Sequence, residues 1–189
     1  MERIPHPTTN PNELNRKKMR WDGYDYTRSG IYYVTFCTYN RVCYLGEIVD
    51  GEMKYSNAGS LAEAFLSVLH VFNPKVEVLS YVVMPDHIHA LIYLSNDEAD
   101  LRWFEQCQHI SEDTVIVSKK DSLSTIISNY KAAVTRCCNR QHIDFKWQRG
   151  FFDHVVRNSE ELEALKTYIH HNPGNWEADR NMNPLTWPL

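Results

Sequence analysis

The spacing of apolar residues along this 189-residue chain predicts an alternation of strands and amphipathic helices. Apolar, β-branched and aromatic runs over 31–37, 76–83 and 87–94 are typical of buried strands. Residues 43–55 predict a hairpin that turns at Asp50-Gly51, a pair suited to positive φ. Apolar positions recur at helical spacing over about 122–139, where the predicted core stripe is Leu123, Ile126, Ile127, Tyr130, Val134 and Cys137.

Two further helices are predicted from the residues at their ends. Ser60-Leu61-Ala62-Glu63 has the form of a capping box, and Asn73-Pro74 would stop a helix whose core stripe is Leu61, Phe65, Leu69 and Phe72. A strand over 151–156 is followed by Asn158, which with Glu161 caps a last helix that faces the core through Leu162, Leu165 and Ile169.

The predicted order is therefore β, hairpin, α, β, β, α, β, α. Without the hairpin and the last helix, this is the β-α-β-β-α-β order of a ferredoxin-like sheet. We predict an α/β (α+β) fold with a ferredoxin-like or RRM-like antiparallel sheet, helices on one face, an added hairpin and a C-terminal helix.

A chain of this length with 43% hydrophobic residues favours one domain. We assign 1–23 to a polar N-terminal arm, 24–176 to the domain and 177–189 to a tail, and 95–121 to a loop insertion within the domain. There is no apolar signal core near the start and no run of the roughly 20 apolar residues that span a membrane. The five cysteines form no C-x-x-C pair, which favours a reducing, cytoplasmic location.

The formal net charge of −4 does not by itself favour nucleic-acid binding. Local patches decide such binding, however, and basic residues do gather in two parts of the chain. A scatter of solvated charges explains them equally well. The two groups are Arg16, Lys17, Lys18 and Arg20, and then Lys131, Arg136, Arg140, Lys146, Arg149 and Arg157.

The sequence Met-Pro-Asp-His-Ile-His over 84–89 places two histidines at the start of a predicted strand. Because strand side chains alternate, His87 and His89 share one face, and Ile88 points to the other. A lone histidine here is usually a packed residue, whereas a pair on one face is more often functional. Two imidazoles and an oxygen ligand suit a divalent ion such as Mn²⁺ or Mg²⁺.

Tyr168 and Asn172 are four residues apart at the end of the last predicted helix, so their side chains are neighbours. Pro173 disfavours helix at the preceding residue and places Asn172 near the helix end. Tyr168 could be an ordinary amphipathic residue, but the apolar stripe of the helix lies on another face. His170 and His171 point elsewhere, and we interpret them as surface or supporting groups. Together with the histidine pair, this arrangement points to metal-assisted nucleophilic chemistry on a phosphodiester.

The segment Trp147-Gln148-Arg149-Gly150-Phe151 mixes aromatic, amide and basic side chains shortly before this helix. Such a composition suits single-stranded nucleic acid, because bases stack on aromatic rings and cations meet phosphates. An aromatic core with surface charges is an equal alternative. We predict a DNA-binding surface that includes Lys131, Trp147, Gln148, Arg149 and Arg157.

From about Tyr24 to Asn183, the chain resembles the REP-associated tyrosine transposases, a group of the HUH single-tyrosine transposases. The resemblance covers Tyr-Tyr-Val-Thr-Phe-Cys-Thr from position 32, Asn57 and Gly59, Tyr-Val-Val-Met-Pro-Asp-His-Ile-His from position 81, Trp-Gln-Arg from position 147, and Tyr-Ile-His-His-Asn-Pro from position 168.

The resemblance implies that His87 and His89 bind Mg²⁺ or Mn²⁺, that Tyr168 is the nucleophile, and that Asn172 is the third ligand. The implied activity is cleavage and rejoining of single-stranded DNA through a 5′-phosphotyrosine, on hairpin-bearing DNA. The resemblance is also compatible with a homodimer and with a location at the nucleoid. Asp86 departs from the common Met-Pro-Asn-His and adds a negative charge, and Gly-Asn-Trp-Glu from position 174 departs from a Val-rich continuation.

Two other functions fit parts of the sequence. Histidine-triad nucleotide hydrolases use His-x-His-x-His on a strand, but here the third position is Leu91. The second alternative is a domesticated protein that binds DNA hairpins without cutting them. Tyr130 and Tyr93 are competing nucleophiles, but neither has a polar ligand one helical turn away.

Overall fold

The computed structural model describes residue 25 and residues 27–95 and 122–176. The predicted arm, the tail and nearly all of the predicted 95–121 insertion lie outside these residues. The strands are β1 (Gly30–Cys37), β2 (Gly46–Val49), β3 (Glu52–Tyr55), β4 (Val76–Val83), β5 (His87–Leu94) and β6 (Phe152–Val155). The helices are α1 (Asn57–Ser67), α2 (Leu69–Phe72), α3 (Leu123–Arg140) and α4 (Ser159–His171), with short 3-10 turns at Tyr39–Arg41 and Pro173–Asn175.

Four of the strands form one antiparallel sheet in the order β4-β5-β1-β6, and β2 pairs with β3 in a separate hairpin. The predicted fold class is therefore confirmed, including the interior position of the histidine strand β5. The strand β1 lies between β5 and β6, where Thr35 is opposite both His89 and Phe152. This central position lets β1 supply side chains to whatever site β5 builds.

Alternation along β1 and β5 gives the sheet two apolar faces. One face packs with α1 and α3 around the larger core, which includes Phe36, Ile88 and Ile92. The other face carries Tyr33 and Leu91, which pack with Leu165 and Ile169 of α4. The last helix thus covers the face opposite α1 and α3, and this is the face on which His87 and His89 lie.

The start of α1 corrects one prediction. Ser56 is the N-cap, because its Oγ accepts a hydrogen bond from the Gly59 N–H at 3.0 Å and donates one to the Tyr44 carbonyl at 2.6 Å. The helix therefore begins one turn earlier than Ser60. It also breaks at Val68 and restarts as α2, which changes the helical phase and leaves Phe72 exposed.

In α3 and α4, the core positions and the helix start agree closely with the prediction. In α3 all the predicted core positions are buried except Cys137, which is replaced in the core by Cys138. The N-cap of α4 is Asn158, whose side chain accepts from the Glu161 N–H at 2.8 Å. No helix within the described residues is long and apolar enough to cross a membrane.

Replacement of Gly59 by Ala should destabilise the protein. A Cβ at this position would lie 1.9 Å from the Leu45 carbonyl oxygen, which is backbone and cannot rotate away. Alanine gains about 1 kcal/mol of helix propensity, but overpacking of this kind costs about 1–3 kcal/mol or more. We expect a lower free energy of unfolding in urea denaturation. Gly174→Ala is the control, because nothing lies within 4 Å of its Cβ. Equal stability of the two variants would contradict the close approach.

Candidate active site

The strand β5 places His87 and His89 side by side on the face that α4 covers. Both side chains are buried, and their Nε2 atoms are 2.9 Å apart. Ile88 and Ala90 point to the opposite face and fix the register of the strand in the larger core. The predicted shared orientation of the two imidazoles is what the structure shows, and both Nε2 atoms point toward one place.

Two hydroxyl groups of β1 lie within hydrogen-bond distance of the Nδ1 atom of His89. This atom lies 2.8 Å from Thr35 Oγ1 and 2.9 Å from the Tyr33 hydroxyl. Burial, together with the neighbouring His87 and Arg41, holds the pKa of His89 well below its usual value, so the ring is neutral near pH 7. A neutral imidazole has a lone pair for a metal ion. Hydroxyls both donate and accept, so they can support either tautomer.

The carboxylate of Asp86 forms a hydrogen bond with the Nδ1 atom of His87. This atom lies 2.6 Å from Asp86 Oδ1, and the Nε of Arg41 lies 2.9 Å from Asp86 Oδ2. A carboxylate paired with a guanidinium accepts hydrogen bonds, so the Nδ1 of His87 carries a proton. In the neutral ring the lone pair is then on Nε2, the nitrogen that faces His89.

The helix α4 brings the predicted nucleophile to these histidines. The Tyr168 ring lies 5.6 Å from the His89 ring between centroids, and it is partly exposed. Two turns later, Trp176 stacks on His87 at 6.0 Å. Asn172 lies between Tyr168 and Trp176 in the chain and is fully buried at the end of α4, with helical φ and ψ. Tyr168 of α4 and the two histidines of β5 therefore meet in one place.

The donor set fits a divalent ion. Two ligands at right angles, each about 2.1 Å from an ion, are about 3.0 Å apart, close to the observed separation of the two Nε2 atoms. Within the described ranges, no cluster of three His, Cys, Asp or Glu side chains could hold a metal. The buried Asn172 at the end of α4, four residues after Tyr168, carries an amide oxygen of the kind that can bind such an ion.

The competing groups lie elsewhere. Tyr130 is buried in the larger core, where its hydroxyl donates to the Ala62 carbonyl at 2.7 Å and burial raises its pKa well above the usual value. Tyr93 is on β5, opposite Ile31 at the end of the strand remote from the histidines. His170 and His171 are exposed, as expected from their helical directions.

Sequence reasoning missed three residues that contact the histidines, namely Tyr33, Thr35 and Trp176. It also missed Arg41, which pairs with Asp86. The apolar strand pattern of β1 gave no sign that Thr35 would lie opposite His89, because strand register depends on pairing 54 residues away. The only signal for Arg41 was the acidic residue at position 86, which needs a cationic partner when buried.

Four of the five predicted DNA-binding residues line one groove of about 560 Å³ on α3. Lys131 donates through Nζ to the Gln148 and Gly150 carbonyls at 2.6 and 2.9 Å and lies 5.6 Å from the centroid of the Trp147 ring. Arg136 and Arg149 add positive charge to the same lining. Partial burial lowers the pKa of Lys131 to about 8.

Arg157 is not part of this groove. The strand β6 starts at Phe152 opposite Thr35 and ends opposite Tyr32, so Arg157 lies beyond the other end of the sheet. The groove lies at the histidine end, because the Gln148 N–H donates to the Cys37 carbonyl at 2.9 Å and Cys37 is opposite His87. The basic groove and the histidine pair therefore share one end of the sheet.

Comparison with known proteins places this architecture in a known class of fold. No family model matches the sequence. An uncharacterized protein of Haemophilus influenzae is 26% identical over 174 residues, which cover 88% of this chain and 92% of that protein.

Among solved structures, a REP-associated tyrosine transposase bound to a REP hairpin is similar with a TM-score of 0.54 at 17% identity. The alignment covers 88% of this chain and 89% of that one. The chain thus has the fold of a REP-associated tyrosine transposase. A Deinococcus radiodurans protein proposed to be a transposase aligns over 80% of this chain at 12% identity, with a TM-score of 0.39 that is too low to bear on the fold.

Proposed function

We propose that the protein is a transposase-like enzyme that cleaves and rejoins single-stranded, hairpin-bearing DNA through Tyr168. The observation that carries the proposal is the contact between Tyr168 and His89, whose Nε2 faces that of His87. A nucleophile beside two nitrogens that can bind a metal ion is one arrangement that supports phosphodiester chemistry. The fold shared with a hairpin-bound transposase supports the choice of DNA.

In the proposed reaction, the Tyr168 oxygen attacks the scissile phosphorus in line and its hydroxyl proton is released. The bond from phosphorus to the 3′ oxygen breaks, and that oxygen takes up a proton and leaves as a 3′-OH. The 5′ phosphate remains on the tyrosine. A 3′-OH can then attack the phosphotyrosine and release Tyr168, so the number of phosphodiester bonds is conserved and no nucleotide triphosphate is consumed.

His87, His89 and Asn172 would hold the Mg²⁺ or Mn²⁺ ion. When bound, such an ion polarises the phosphate and stabilises negative charge on the leaving oxygen. An unperturbed tyrosine hydroxyl has a pKa of about 10, so the reaction needs this help at neutral pH. The partial exposure of Tyr168 leaves its ring open to a DNA strand.

The test is covalent trapping of DNA. A hairpin oligonucleotide with a single-stranded flank is labelled at its 3′ end in one sample and at its 5′ end in another, and each is incubated with protein and Mn²⁺. We expect the 3′ label to become attached to the peptide that contains Tyr168 and the 5′ label to be released on a fragment with a 3′-OH. Tight binding without any adduct would instead support the non-catalytic hairpin-binding protein.

The basic groove is proposed to bind the strand that leads to the site. Arg149→Gln should weaken binding of the hairpin oligonucleotide several-fold and reduce the slope of log K against log salt by about one, because each phosphate contact releases about one counterion. Fluorescence anisotropy over a range of salt concentrations measures both. Arg157→Gln is the matched control, since it removes the same charge beyond the opposite end of the sheet. The same loss in both variants would argue against the groove.

A further inference from the structure

A carboxylate and a guanidinium lie in sequence next to the His87 ring. Arg41 Nε lies 2.9 Å from Asp86 Oδ2, and Asp86 Oδ1 lies 2.6 Å from His87 Nδ1. The Asp86 side chain is only 7% exposed, so its charge is largely withdrawn from water. The corresponding Nδ1 of His89 lies next to the neutral hydroxyls of Tyr33 and Thr35.

We propose that Asp86 and Arg41 together hold the His87 ring in the orientation and tautomer that a metal ligand needs. Asp86 fixes the His87 proton on Nδ1 and so keeps the Nε2 lone pair directed toward His89. Arg41 keeps the Asp86 carboxylate in place and offsets its buried charge. This inference rests on the metal site of the proposed function, and it adds two residues that would contact neither the ion nor the DNA.

The backbone around the pair supports this role. The Thr38 N–H donates to the Asp86 carbonyl at 2.9 Å, which holds the backbone of Asp86 in place. Asn40 and Arg41 have φ values of 51° and 56°, in the left-handed region that residues other than glycine seldom occupy. Two such residues in succession store backbone strain at the turn that directs the guanidinium to Asp86.

A carboxylate behind a ligating histidine has two physical effects. It sets the tautomer and orientation of the ring, and it makes the ligating nitrogen more basic. Loss of such a supporting partner lowers metal affinity by about 10- to 100-fold. An unbalanced buried carboxylate is costly, however, and the Arg41 guanidinium provides the compensation. The effect of Arg41 on the ion should therefore depend on the presence of Asp86.

Titration calorimetry of the full chain with Mn²⁺ tests this dependence. Asp86→Ala should weaken binding by about 10- to 100-fold, and Asp86→Asn should recover much of the loss because its amide oxygen still accepts from His87. Arg41→Met should weaken binding in the wild-type background and should not weaken it in the Asp86→Ala background. Equal losses from Arg41→Met in both backgrounds, or wild-type affinity of Asp86→Ala, would overturn the proposal.

A matched control exists elsewhere in the chain. His154 and Glu161 form a similar pair, 2.6 Å between Nε2 and Oε1. His154 is on β6, which β1 separates from the histidine strand β5. Glu161→Gln should leave the Mn²⁺ affinity unchanged. If it weakens binding as much as Asp86→Ala does, then the losses reflect general destabilisation and the positioning role is wrong.

Nitrogen-15 NMR of the imidazoles in the metal-free protein gives a second readout. Near neutral pH, we expect His87 to carry its proton on Nδ1 in the wild type and to shift toward Nε2 in Asp86→Ala. A wild-type His87 protonated on Nε2 would overturn the positioning role whether or not metal binds. If the wild type shows the expected His87 tautomer but does not bind Mn²⁺, then the metal site of the proposed function is wrong.

Discussion

Tyr168→Phe should eliminate DNA cleavage and the covalent adduct while the protein still folds and binds hairpin DNA. The substitution removes one oxygen atom and leaves the ring that packs against His89. Loss of a nucleophile costs several orders of magnitude in rate, so we expect a fall of at least about 10³-fold. Cleavage of the end-labelled hairpin measures the rate, and fluorescence anisotropy shows that binding persists.

Tyr93→Phe is the control for this substitution. It removes the same atom from a partly buried tyrosine at the other end of β5 and should retain cleavage. An adduct on a tyrosine other than Tyr168, or full cleavage by the Tyr168→Phe variant, would show that the nucleophile is assigned wrongly.

His89→Ala should have the second largest effect, because it removes a proposed ligand itself. Replacement of a supporting residue costs about 10- to 100-fold in metal affinity, so loss of the ligand should cost more than about 100-fold. Cleavage at a fixed Mn²⁺ concentration should fall in parallel. Titration calorimetry with Mn²⁺ measures the affinity directly.

The His89 experiment needs two further variants. His89→Gln can still bond the buried hydroxyls of Thr35 and Tyr33, so it separates lost binding from lost folding. His170→Ala removes an exposed histidine from the same end of α4 and should bind Mn²⁺ normally. Wild-type affinity in His89→Ala would show that the ion lies elsewhere.

The fold was predictable from the sequence wherever periodicity and end signals agreed. Asn158 capped the last helix as expected, because a short acceptor side chain next to an amphipathic run is a local signal. Phe72 was wrongly predicted to be in the core, because the prediction assumed one continuous helix. The φ and ψ angles of Val68 leave the helical region and interrupt that helix. A break of this kind depends on packing against the sheet, and nothing in the local pattern revealed it.

The site was predictable only in the parts where its residues lie close together in the chain. That His87 and His89 share a face follows from the two-residue repeat of a strand, and that Tyr168 and Asn172 are neighbours follows from the turn of a helix. The contact between Tyr168 and His89 depends on the tertiary fold and could not be predicted in this way. Arg41 could not be assigned from sequence, because it reaches Asp86 through two left-handed residues in a turn. Residues that come into contact through strand register or strained turns show no periodic pattern in the sequence.

The central position of β1 also has a consequence for how the molecule forms during synthesis. Thr35 leaves the ribosome early, but its two strand partners, at His89 and Phe152, are made much later. Tyr168 follows still further along the chain. Pairings of such long sequence separation are slow to form, because the entropy of closing large loops must be overcome first. No nascent chain that stops before α4 can therefore carry both the histidine pair and the proposed nucleophile.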